Sequence, residues 1–228
     1  MSSNIDGNNG GNDGDGGQYV IGLTGNIAVG KSTVLGYLAG KGAHVIDADK
    51  TAHQTMFPDG AAYEKVVTEF GETILEADGS INRTALGSIV FADQRALKRL
   101  EAIVHPATFE LIRWDMSQTT SDVVVLEAIK LLESGRVLTL CDEIWVVTAR
   151  LGTQIQRLVE FRNMNEVEAH QRMAAQSPQA EKVANADRVV ENDGTVEDLF
   201  RRLDIYWEQM LARKDRAVSS LANSEFEE

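Results

Sequence analysis

At 228 residues, 43% hydrophobic and 25% charged, the chain has room for one domain with a proper core and a small insertion, but not for two full domains. A formal net charge of −13 argues against a general nucleic-acid binder, which needs a basic surface. No run of about 18 apolar residues suits a membrane span, and Met1–Gly17 lacks the basic and apolar regions of a secretory signal. A cytoplasmic protein is expected, with its single cysteine, Cys141, as a buried structural thiol and no internal disulfide.

Residues 2–17 are almost entirely Ser, Asn, Gly and Asp, too poor in apolar groups to offset the entropy of ordering, and read as a disordered tail. Short β-branched runs then predict strands at Tyr19–Thr24, His44–Ile46, Val123–Leu126, Ile144–Val147 and Arg188–Val190. Between them, helices are expected at Lys31–Ala39, Asp49–Met56, Ala61–Phe70, Arg83–Val90, Gln94–Ile103, Pro106–Ser117, Gly135–Leu140 and Val196–Ala212. Two more are expected near Gln154–Asn163 and Val167–Gln176. The alternation describes an α/β fold, a five-stranded parallel sheet with crossover helices on both faces. Residues 214–228 read as a loose acidic tail.

The strongest signal is Gly25-Asn26-Ile27-Ala28-Val29-Gly30-Lys31-Ser32, which has the P-loop spacing and lies between a strand and a helix pattern. Gly25 and Gly30 allow turns and close approach, so that successive N–H groups can surround phosphate oxygens. The helix that follows adds its positive end. Lys31 then reaches the β- and γ-phosphates and the Ser32 hydroxyl meets Mg²⁺, with Thr33 a further candidate near the α-phosphate. A glycine turn that merely joins strand to helix is the bland alternative.

No Asn-Lys-x-Asp follows a strand, as a guanine-specific site would require, and no Leu-Ser-Gly-Gly-Gln stretch marks a transport ATPase; both absences favour a kinase. A kinase holds its acceptor hydroxyl beside a carboxylate. Asp47 and Asp49 sit at a carboxyl edge of the sheet, where ligands of such folds bind. Asp49 is the candidate facing the acceptor; Asp47 is nearer the metal or orients the loop, unless either simply caps a helix. Arg150, Arg157, Arg162, Arg172 and Lys182 cluster before the last strand, where a closing lid would lie, although such cations are often only solvated helix faces.

From about Val20 to Leu211 the residues resemble the dephospho-coenzyme A kinases. The likeness runs through Ile21-Gly22-Leu23-Thr24-Gly25, Val45-Ile46-Asp47-Ala48-Asp49, Ala52-His53 and Leu100-Glu101-Ala102-Ile103-Val104-His105-Pro106. It continues through Gln156-Arg157-Leu158, Arg162, Arg172, Gln176, Lys182, Ala186-Asp187 and Asn192-x-Gly194. The resemblance implies the three-layer P-loop NTPase fold over residues 18–213, with a helical acceptor-binding segment near 50–120 and a lid near 150–183. It implies ATP and dephospho-coenzyme A as substrates and Mg²⁺ as cofactor. By the same resemblance Asp49 matches the catalytic carboxylate and Lys31 and Ser32 the nucleotide and magnesium ligands. Arg157, Arg162 and Arg172 match lid positions, Asn192 approaches adenine, and His105 lies on the acceptor side, unless His105-Pro106 is only a helix start.

One stretch departs from the family. Its usual Asp-x-Pro-Leu-Leu-Phe/Val-Glu is here Glu127-Ala128-Ile129-Lys130-Leu131-Leu132-Glu133. Glu127 keeps an acid for the metal, a proline is lost, and Lys130 either meets an anionic group of the acceptor or points to solvent. A nucleoside or nucleotide kinase is the alternative of the same fold, and a nucleotide-dependent switch the alternative of another class. No nucleic-acid or membrane partner is expected, and the expected state is a monomer or weak homo-oligomer.

Overall fold

The computed structural model describes residues 17–129, 131–133 and 135–224. Among these, β1 (Tyr19–Gly25), β2 (His44–Asp47), β3 (Val123–Glu127), β4 (Glu143–Thr148) and β5 (Arg188–Glu191) form one parallel sheet in the order β2-β3-β1-β4-β5. The direction of winding reverses at β1, which puts a crevice at its carboxyl end. The register sets Asp47 beside Glu127 and Glu127 beside Leu23, so the acidic ends of β2 and β3 lie side by side on one side of the exit of β1. Val123, Val124, Val125 and Leu126 are all buried, as a strand covered on both faces requires.

The helices are α1 (Lys31–Gly40), α2 (Ala48–Gln54), α3 (Tyr63–Phe70), α4 (Arg83–Ala92), α5 (Gln94–Gln118), α6 (Leu151–Arg162), α7 (Glu166–Ala174), α8 (Gln179–Val183) and α9 (Val196–Ser224). Side-chain caps begin several of them: Asn82 accepts from the Ala85 N–H at 2.8 Å and Asn165 from the Glu168 N–H at 2.9 Å. One sheet face packs on α1 and α9 through Val34, Leu38, Leu199, Leu203 and Met210. The other packs on Ile112, Leu131, Val137 and Leu140. A third core, built from Ala62, Val66, Ile74, Leu86, Val90, Ala96 and Val104, belongs to the helical segment after β2.

Three expectations are corrected. Pro106 does not start a helix but lies inside α5, which runs unbroken through it. The buried stripe Val104, Thr108, Ile112 continues across the proline at four-residue spacing, and this packing outweighs one lost backbone hydrogen bond. Pro106 thereby marks the passage from the helical core, which takes Val104, to the sheet core, which takes Ile112. Gly135–Leu140 is a 3₁₀ helix. Finally, α9 reaches Ser224, well past residue 213, because the stretch from Val196 onward holds no Gly or Pro and is rich in helix formers. The expected N-terminal tail, up to residue 17, lies outside the described residues except for Gly17.

Candidate active site

The turn after β1 takes a conformation that glycine alone tolerates at two points. A Cβ on Gly25 would stand 2.5 Å from the Val147 carbonyl oxygen. Gly30 has φ 94°, and a Cβ there would stand 2.1 Å from Nδ2 of Asn192. Ala28, a non-glycine residue, also sits at φ 60°. Backbone held in this region at a phosphate-binding turn is the signature of a functional constraint. Gly30 is also the N-cap of α1, so the positive end of that helix opens into the turn.

A cleft of about 770 Å³ lies over it, lined by Asn26, Ile27, Ala28, Gly30, Lys31, Ser32 and Thr33 on one side and by Asp47, Glu127 and Ile129 on another. Arg157, Arg162, Asn192 and Gly194 complete the wall with Phe161 and Val196. Lys31 Nζ donates to the Gly25 carbonyl at 2.9 Å and stands 3.6 Å from Glu127 Oε1. Burial pushes the Glu127 carboxyl above its usual range; Lys31 opposes this, while the charges of Asp47 and Asp49 add to it. Negative charge is thus concentrated along this edge of the sheet, with Lys31 as its nearest counter-charge.

Asp47 proves to be the N-cap of α2, accepting from the Lys50 N–H at 2.9 Å, and also pairs with Lys50 Nζ at 2.9 Å. The capping alternative is therefore realised at Asp47, which nonetheless still lines the cleft. Asp49 lies in the first turn of α2, and its Oδ2 accepts from the Ile129 N–H at 3.3 Å; Ile129 lines the cleft, whereas Asp49 does not.

Arg157 does something the sequence did not signal. Its guanidinium donates to the carbonyls of Ala28 and Val29, both at 3.2 Å, and to that of Asn192 at 2.9 Å. Asn192 is buried and donates from Nδ2 to the Val29 carbonyl at 2.8 Å. Together they clamp the outer side of the turn. Gln176, at the far end of the α6–α7 segment, accepts from the Ile27 N–H at 2.7 Å, and Asn26 Nδ2 donates to the Ser177 carbonyl at 3.1 Å. The segment after β4 therefore grips the turn at both its ends. Gln176 belongs to the resemblance, but a glutamine on a polar helix carries no spacing signal of its own.

Other candidates lie elsewhere. Arg172 is exposed and paired with Glu168 one turn away at 3.2 Å, and it does not line the cleft. His105 is exposed on α5, likewise outside the cleft wall. Lys130 lies outside the described residues.

Among the described residues no three His, Cys, Asp or Glu side chains converge to cage a metal. The donors at hand are the Ser32 hydroxyl and the Asp47 and Glu127 carboxylates, all lining the cleft. Hard oxygens in small number suit Mg²⁺, which keeps waters and substrate phosphates in its shell.

A glycine turn at the switch point of a parallel sheet, a lysine inside it and an acidic edge opposite define a P-loop kinase of the small-molecule type. The dephospho-CoA kinase family model matches residues 19–198. A Geobacter sulfurreducens dephospho-CoA kinase is 45% identical over 191 residues, covering 82% of this chain and 96% of that protein. A Streptomyces avermitilis one is 41% identical, covering 85% and 94%. A Thermus thermophilus crystal structure superposes with a TM-score of 0.72 at 32% identity, covering 84% of this chain and 97% of that one. The dephospho-CoA kinase from Campylobacter jejuni gives a TM-score of 0.61 at 26% identity, covering 86% and 98%. The chain belongs to the dephospho-CoA kinase family.

Proposed function

We propose that the chain transfers the γ-phosphoryl group of ATP to the ribose 3′-hydroxyl of dephospho-coenzyme A, giving coenzyme A and ADP, the last step of coenzyme A synthesis. The observation that carries the reading is the single cleft in which Lys31 and Ser32 face the acidic edge of β2 and β3, in a chain of this family.

The backbone of residues 25–33 binds the phosphates, and Lys31 leaves the Gly25 carbonyl for the β- and γ-oxygens. Asp49 takes the proton of the 3′-hydroxyl as its oxygen attacks the γ-phosphorus in line. The bond from that phosphorus to the bridging oxygen breaks, and ADP carries away the electron pair. Arg162 supplies positive charge to the equatorial oxygens. Arg157 and Asn192 keep the turn in shape, and the adenine lies toward Asn192 and Gly194. Ser32, Asp47 and Glu127 would hold Mg²⁺, which when bound neutralises charge on the phosphates. Residues 150–183 act as the lid; its closure would bring Arg172 over the cleft and exclude water. Residues 50–120 bind the acceptor.

We place the protein in the cytoplasm as a monomer or weak homo-oligomer. No described helix is long and apolar enough to cross a membrane, which fits this placement. Size-exclusion chromatography with light scattering tests the oligomeric state.

The decisive assay compares ADP release with dephospho-coenzyme A, adenosine and AMP as acceptors. Turnover specific to dephospho-coenzyme A is expected. Preference for adenosine or AMP, or hydrolysis indifferent to all three, would overturn the proposal.

A further inference from the structure

Lys182, on α8, is only 5% exposed, yet α8 is a five-residue helix at the end of the segment after β4. A buried ammonium is costly unless strong partners compensate it. Its Nζ donates to the Ile129 carbonyl at 2.6 Å, a short charge-assisted bond. That carbonyl also accepts from Oγ1 of Thr24, a fully buried residue of β1, at 3.1 Å. One residue earlier, the Ala128 N–H donates to the Leu23 carbonyl at 3.2 Å. The backbone leaving β3 is thus pinned by three bonds to buried groups. What it presents outward is the Ile129 N–H, which donates to Oδ2 of Asp49 at 3.3 Å.

We infer that Lys182 is a positioning residue for the acceptor carboxylate: with Thr24 it fixes Ile129, and the Ile129 amide orients Asp49. The inference rests on the assignment of Asp49 above. Asp49 is itself exposed, on the first turn of a seven-residue helix, so its own element does little to restrict its rotamer. A carboxylate that takes a proton in the transition state is efficient only when its oxygen is held in line with the hydroxyl. The pin comes from α8 and β1, both outside the helix that carries Asp49, and the Lys182 bond itself ends on Ile129 rather than on the phosphate turn.

The test measures phosphorylation of dephospho-coenzyme A by full-length wild type, Lys182→Met, Lys182→Arg and Asp49→Asn, and by Lys182→Met combined with Asp49→Asn. Lys182→Met is expected to lower kcat about tenfold or more while KM for ATP stays within about twofold, with Lys182→Arg recovering most of the loss. In the Asp49→Asn background the same Lys182→Met change should cost less than about twofold, because the group it orients is already gone. Equal losses in both backgrounds, or a loss confined to KM for ATP, would overturn the positioning role. If Lys182→Met does not fold, Thr24→Val removes the other donor to the same carbonyl and must show the same kcat loss and the same non-additivity. Wild type that fails to phosphorylate dephospho-coenzyme A refutes the functional reading instead; active wild type matched by active Lys182→Met refutes only this one.

Discussion

Lys31 stands 2.9 Å from the Gly25 carbonyl and 3.6 Å from Glu127, and a triphosphate competes for it with several negative charges at once. Lys31→Ala therefore removes a partner nothing else in the turn replaces, and turnover should fall below detection in a coupled ADP assay. Asp49 has a different proposed job, at the acceptor rather than at the nucleotide. Asp49→Asn should lower kcat by about 100-fold or more, the usual worth of a positioned general base, with KM for ATP changed less than about twofold. A parallel rise in KM would move Asp49 to the nucleotide side. Gly30 couples both strain and space: at φ 94° with Asn192 Nδ2 in the way, Gly30→Ala should destabilise the fold by about 1–3 kcal/mol. It should also weaken ATP binding, and denaturant melts with calorimetric titration measure both effects. The motif around these residues is legible from the sequence because its spacing reflects a backbone conformation. Arg157 is not legible in the same way: its cationic type suggested contact with phosphate, whereas its guanidinium holds carbonyls of the turn.

At the scale of elements, the five strands fall within about a residue of their sequence-predicted ends, because doubly covered strands are short β-branched runs with polar limits. Helix α8 is missing from the sequence reading, since five residues are too few to show a 3.6-residue period. The reading also breaks α5 at Pro106, where local propensity does predict a boundary. Two cores decided otherwise, one holding each half of the helix. Since Pro106 still denies α5 a backbone bond, Pro106→Ala should leave the fold as stable or raise stability by about 1 kcal/mol. A thermal melt below wild type would show that the proline ring contributes packing worth more than that bond.

Across the whole molecule, the sheet has two charged ends with opposite roles. At the amino end, Glu143 (2% exposed) accepts from Trp145 Nε1 at 2.8 Å and from Arg188 Nε at 3.1 Å, and pairs with Arg213. Burial alone would push its carboxyl up, but these donors and cations together hold it below its usual range. A depressed carboxyl contributes stability that is complete above its unfolded value of 4.5 and is lost as pH falls through the lower folded value. Glu143→Gln leaves Arg188 buried without its counter-charge, so at pH 7 it should cost about 3 kcal/mol. The deficit should shrink below pH 4.5, as chemical denaturation at several pH values would show. At the carboxyl end the sign is reversed: Glu127 is held above its usual range, so its ionised form costs stability there. Structure is spent at that edge on chemistry rather than on cohesion.

By itself the sequence determined the phosphate-binding turn, the alternating sheet and the family, because each is written in local spacing: two glycines with four residues between them, a lysine, and runs with the period of their element. Only the tertiary structure decided that Asp47 caps a helix, that Arg157 and Gln176 grip the turn, and that Lys182 holds Ile129 beside Asp49. Those contacts join residues dozens to more than a hundred positions apart or depend on where a short helix begins, and no local pattern carries them. They exist because burial brings strand ends together and every polar group trapped there must find a partner.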